Sequence, residues 1–159
     1  MKDDLRRALE LSVDTDNQRR ATANEEAKRK DDARKAFISS WHKAVDDTVA
    51  PALQEVADTL KLKGWVARVD QISISHQPRA VRLYTYRGNM TSLGGETSVG
   101  SERTRPHIEF KADPVTDRIS VYEATTNGGG PVSLHTVEDL SLESVQRIAV
   151  EYFQRLLSV

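Results

Sequence analysis

A chain of 159 residues with 38% hydrophobic side chains is long enough for one core, yet too polar for all of it to enter that core. Its 23 Lys and Arg nearly balance its 24 Asp and Glu, for a formal net charge of -1, so there is no strong nucleic-acid signal. The absence of cysteine excludes disulfides, thiolate nucleophiles and zinc or iron–sulfur ligation by the chain's own thiolates.

Residues 1–16 alternate acidic and basic side chains, with neither a continuous apolar stretch nor a small-residue cleavage signal. No apolar run approaches the roughly 20 residues needed to cross a bilayer. The expectation is a cytoplasmic chain, not one in a membrane. Residues 1–11 read as a short helix with Leu5, Leu9 and Ala8 on one side. Between Asp14 and Ala36 the only apolar side chains are alanines, which supply helix propensity but little burial. Glu25 and Glu26 precede Arg29 and Lys30 by four residues, as Asp31 precedes Lys35. Each such exposed pair adds about 0.2–0.5 kcal/mol to a helix. Residues 1–36 are therefore expected to be a charged helical or partly disordered extension, and residues 37–159 a single α+β domain.

From Phe37 the pattern changes. Phe37, Trp41, Val45, Val49, Leu53, Val56 and Leu60 recur every three or four residues and define an apolar helix stripe. Pro51 lacks an amide and its ring crowds the preceding turn, which predicts a kink or restart near residues 48–51. Gly64 is placed to end the helix, since glycine accepts positive φ.

Residues 65–75 then read as extended, with Val66, Ile72 and Ile74 on one alternation together with Arg68 and Asp70. Val69 falls on the other alternation, so either both faces are partly covered or a bulge changes the phase. Residues 80–87 form a second strand, Val81 and Leu83 facing one way and Arg82, Tyr84 and Tyr86 the other. Residues 88–103 read as a long loop or two short edge strands. Residues 105–112 set Ile108, Phe110 and Ala112 opposite His107, Glu109 and Lys111, and a turn at Asp113, Pro114 and Asp117 leads to a strand over 119–125. Three glycines at 128–130 and Pro131 are expected to form a connection before a short strand over 132–137. Ser141 caps a final helix carrying Val145, Ile148, Ala149, Tyr152 and Leu156, with Val150, Phe153 and Leu157 widening its apolar face.

The fold class this predicts is α+β: a long N-terminal helix, a four- or five-stranded mostly antiparallel sheet, and a C-terminal helix packed on one face. Short local turns favour antiparallel connections.

No motif assigns a reaction. The histidines at 42, 76, 107 and 135 fall on different elements, without the spacing of a zinc site. Ser92 lacks the Gly-x-Ser-x-Gly elbow, and neither glycine-rich stretch matches a phosphate loop. Adjacent acids at 46–47 and 138–139 read as surface charge, so no catalytic residue, metal or cofactor is assigned. Two surfaces remain. One is the polar sheet face of Arg82, Tyr84, Tyr86, His107, Glu109 and Lys111, where cations receive an anion and tyrosines stack. The other is the Phe37, Trp41 and Val45 end of the apolar helix, which closes the core or meets a second copy. The leading expectation is a non-enzymatic protein-interaction or assembly module, a homodimer or the partner of another protein. The alternative is a small-molecule-binding protein or enzyme that uses the sheet face.

Overall fold

A computed structural model describes residues 1–87, 105–125 and 128–158. The chain separates into two compact units, Met1–Ala36 and Phe37–Val159. Helix α1, Asp3–Ala44, supplies the first unit and continues into the second. No glycine or proline interrupts it, so the separate short helix expected over residues 1–11 is instead the start of one long element. Ion pairs four residues apart, Asp16–Arg20 and Asp31–Lys35, each at 2.9 Å, lie along it. The hydroxyls of Ser12, Thr15 and Thr22 donate to the carbonyls four residues back. Every residue from Met1 to Ala36 is exposed.

In the second unit, α1 runs into a π-helical turn, Val45–Val49, followed by α2, Ala50–Leu62. The wide turn is the physical answer to Pro51, which stands in the first turn of α2. Its ring crowds the carbonyl four residues back, and the amide of Ala50 reaches instead to the carbonyl of Val45, five residues back. Gly64, at φ 83°, ends α2 as its sequence position predicts.

Among the described residues five strands follow: β1 Trp65–Ile72, β2 Ala80–Arg87, β3 His107–Asp113, β4 Arg118–Thr125 and β5 Gly128–His135. They form one antiparallel sheet in sequential order. The last helix, α3 Leu142–Leu157, starts with Ser141 accepting from the amide of Ser144 while the Ser144 hydroxyl accepts from the amide of Ser141. The fold class is thus the α+β arrangement read from the sequence, with five strands.

One sheet face carries Ala67, Val81, Leu83, Ile108, Phe110, Ala112, Ile119 and Val121. These pack with Trp41, Val45, Val49, Ala52, Leu53 and Ala57, and with Val145, Ala149 and Tyr152 of α3. Burying an aliphatic side chain is worth about 1.5–3 kcal/mol, so this layer dominates the fold's stability. Val69 faces the same layer without any shift in the β1–β2 register, so both faces of β1 are partly covered and no bulge is present there.

Three expectations differ from the structure. Strand β1 ends at Ile72, and Ile74 lies exposed in the turn that follows, where His76 adopts φ 65°. The glycines at 128–130 belong to β5 itself rather than to a connection, and the strand stops at His135. An edge strand needs hydrogen bonds on one side only and so accommodates glycine and Pro131, which sits opposite Tyr122 where the β4–β5 register shifts. The reading of residues 88–103 as loop or edge strands lies outside the described residues.

Candidate functional site

Alternation along β2 and β3 delivers Arg82, Tyr84, Tyr86, His107, Glu109 and Lys111 to the sheet face away from the core, and the register decides which of them meet. Arg82 lies opposite Glu109, and Tyr84 opposite His107. The Arg82 guanidinium donates through Nε to the Glu109 carboxylate and through Nη1 to the Tyr84 hydroxyl at 3.1 Å. The pair is largely withdrawn from solvent, the side chains being 27% and 13% exposed. The rings of Tyr84 and His107 lie 5.3 Å apart, tilted by 50°, and Tyr122 of β4 follows at 6.4 Å from His107. Tyr84 and His107 are buried although they point away from the helices.

Tyr86 stands apart from this group, and Lys111 lies at its border. Tyr86 receives the Arg105 guanidinium over its ring at 5.1 Å. Lys111 is exposed and borders a small cavity of about 60 Å³ shared with Ile72, Pro78, Ala80, Arg82 and Glu109. Three participants were not singled out from the sequence: Arg105, Tyr122, and Arg68, whose guanidinium lies 5.2 Å over the Tyr84 ring. The signal for Arg68 was present as a cation on the outward alternation of β1, but its meaning depends on the Arg68–Tyr84 register.

His107 Nδ1 lies 2.8 Å from the Arg105 carbonyl, which can only accept, so this nitrogen carries the proton and Nε2 keeps a lone pair. Burial lowers the His107 pKa, opposed by its bond to the Arg105 carbonyl and reinforced by the charge of Arg82. His42, whose Nε2 accepts from the Arg79 amide at 3.3 Å, is lowered in the same direction by burial and then by Arg79. Both rings bind a proton less readily folded than unfolded. Their contribution is therefore intact above the unfolded value of 6.5 and is lost as pH falls through the lower folded values. Urea denaturation is expected to show stability falling as pH drops below 6.5, less steeply in His107→Gln. A His107 titration by NMR above the ordinary histidine value contradicts this account.

The Arg82–Glu109 pair falls between an exposed and a buried ion pair. A double-mutant cycle with Arg82→Met and Glu109→Gln is expected to give a coupling of about 1–2 kcal/mol. A coupling near zero would show that the contact is not held in solution.

The second sequence-derived surface sits elsewhere. Trp41 and Val45 are fully buried, and the Trp41 indole N–H donates to the Arg79 carbonyl at 2.6 Å. Of the three helix residues named as interaction candidates, only Phe37 keeps exposed area. Arg79 completes the arrangement. Its guanidinium holds both Asp46 oxygens, at 2.9 and 3.1 Å, and also the Gln71 amide oxygen and the His42 carbonyl. This clamp fixes the β1–β2 connection to the helices and leaves its charge satisfied.

A further polar group lies on the core side and was also missed. Glu123, almost wholly buried, accepts from both the Nε and Nη2 of Arg155, and the Tyr152 hydroxyl donates to the Ala124 carbonyl at 3.3 Å. Burial pushes the Tyr152 pKa up to about 12, with the neighbouring Thr85 hydroxyl holding it back. These contacts fasten the end of α3 to β4. Among the described residues, no three His, Asp or Glu side chains converge closely enough to hold a metal ion, and no helix is long and apolar enough to cross a membrane.

A groove opens between α2 and α3, about 320 Å³ in volume. Val56, Leu60, Val150 and Phe153 line it, together with Glu55, Thr59 and Gln146. No protein-family model, no curated protein and no solved structure matches this chain.

Proposed function

We propose that this chain is a non-enzymatic protein-interaction or assembly module and that the N-terminal helix is its docking element. The observation that carries the reading is the exposure of Met1–Ala36, which includes Leu5, Leu9, Leu11 and Val13 at 50–69% of their full exposure. Burying a leucine is worth about 1.5–3 kcal/mol, so a helix that presents several to water gains by finding a partner. The alanine-bearing stretch behind them supplies length and charge but no anchor of its own, which suits a segment that docks outside its own fold.

Light scattering coupled to size exclusion tests the reading on the full chain and on Leu5→Glu/Leu9→Glu. The full chain is expected as an assembly, and the double variant as single chains with an unchanged circular dichroism spectrum. Single chains in both cases, with no protein retained by the immobilised full chain, refute it.

A second reading is favoured by the burial of Tyr84 and His107 on the outward sheet face. There the tautomer fixed by the Arg105 carbonyl leaves Nε2 of His107 as an acceptor. This reading makes the face a small-molecule site. Because Arg82 is already bonded to Glu109 and Tyr84, the ligand chemistry it fits is a hydrogen-bond donor at His107 more than an anion at Arg82. A ligand that raises the melting temperature of the native chain but not of His107→Phe supports it. Equal shifts in both chains place the binding elsewhere.

A further inference from the structure

We infer that the partner is a second copy, and that the ridge of Leu5, Leu9 and Val13 on one chain seats in the groove between α2 and α3 of the other. The inference rests on the N-terminal helix being the docking element and names the surface that receives it. Leu5, Leu9 and Val13 follow one another at intervals of four on a helix, so they stand in one row. At a rise of 1.5 Å per residue the row runs about 12 Å. Past Val13 the larger apolar side chains give way to alanines until Phe37, which is too short a seam for a two-stranded coiled coil of α1 with its copy.

The groove has the matching length and character. Gln146, Val150 and Phe153 follow one side of α3 over about 10 Å by the same rise. Val56 and Leu60 form the facing wall on α2. Val150 is 45% exposed, and Leu157, one turn beyond Phe153, is 51% exposed, so the apolar surface continues past the groove. A row of side chains repeating once per turn fits between two helices whose own side chains repeat once per turn.

Charge agrees with this seating. Arg6 stands beside the ridge and Lys2 just before the helix, while Glu55, which accepts from the Gln146 amide, lines the groove. A net charge of -1 puts little repulsion between two copies. Reciprocal seating uses both ridges and both grooves and closes a two-fold dimer.

The native chain contains no cysteine, so a thiol can be placed at will. Full-length Leu9→Cys and full-length Val150→Cys are mixed in equal amounts, oxidised and analysed by mass spectrometry of the non-reduced peptides. The expected product joins one chain of each kind. Its yield should exceed that of either chain alone by about tenfold, because docking raises the effective concentration of the two thiols. Val150→Glu should reduce the native particle from two chains to one while the circular dichroism spectrum stays unchanged, since Val150 stands outside the buried core.

A Leu9–Leu9 product without the mixed one, or a dimer that survives Val150→Glu, overturns the groove and leaves the helix as a docking element that pairs with itself. A particle of one chain at every concentration overturns the second copy as partner. The helix reading then stands or falls on whether the immobilised chain retains another protein.

Discussion

Trp41→Ala is expected to remove about 3–5 kcal/mol of stability, a large share of the 5–15 kcal/mol typical of a domain. The indole is fully buried, among the largest such side chains in the core, and its N–H holds the Arg79 carbonyl. Truncation therefore opens a cavity and also orphans an acceptor in the connection between β1 and β2. Trp41→Phe separates the two effects: it refills most of the volume and leaves only the carbonyl unpaired, for a loss of about 1–3 kcal/mol. Urea midpoints at unchanged slope measure both variants. A loss below about 1 kcal/mol for the alanine variant contradicts the placement of Trp41 in the core.

The second large effect is expected at Gly129. A Cβ there would lie 2.7 Å from the Glu123 carbonyl oxygen and 2.7 Å from the Tyr122 hydroxyl. Tyr122 can swing aside, but the carbonyl belongs to β4 and moves only if the β4–β5 pairing opens. Gly129→Ala is expected to lose about 1–3 kcal/mol, the usual penalty of overpacking. Gly130→Ala is the internal control. Its Cβ meets nothing, and reduced freedom in the unfolded chain makes it neutral or stabilising by up to about 1 kcal/mol. Hydrogen exchange should locate the Gly129→Ala defect in β4 and β5. Equal stability of the two variants would show that β5 does not approach β4 as closely as described.

These glycines also show where sequence reasoning runs out. Alternation identified β2, β3 and β4 because Val81/Leu83, Ile108/Phe110 and Ile119/Val121 repeat with the period of a pleated strand that faces a helix layer. The cap at Ser141 was legible because one side chain and the amide three residues on suffice to define it. Gly128 to Gly130 carry no such local signature. Their place in a strand depends on being at an edge, and on the approach of Tyr122 and Glu123 from a neighbour.

The same division applies to the sheet face. Strand periodicity assigns Arg82, Tyr84, His107 and Glu109 to one side, while the pairings of Arg82 with Glu109 and Tyr84 with His107 come from register across a long connection. Arg68 and Arg105 lay outside that reading because a cation over a ring joins positions that no sequence spacing relates. For helix α1 the difficulty is of another kind. Residues 14–36 bury nothing and carry no large apolar side chain, so the continuity of α1 through them follows only from propensity and the absence of any breaker.

The sequential order of the strands has a kinetic consequence. Each strand's neighbour in the sheet is also its neighbour along the chain, so the sheet can assemble as successive hairpins without any crossover. Most of its pairings therefore close over short stretches, and such local topologies cross their folding barrier faster than sheets built from distant segments. The join between β2 and β3, which spans the longest connection in the sheet, is the exception. Loop-closure entropy grows only logarithmically, by about 0.6 kcal/mol for each doubling of length, so that join delays collapse without deciding whether it happens.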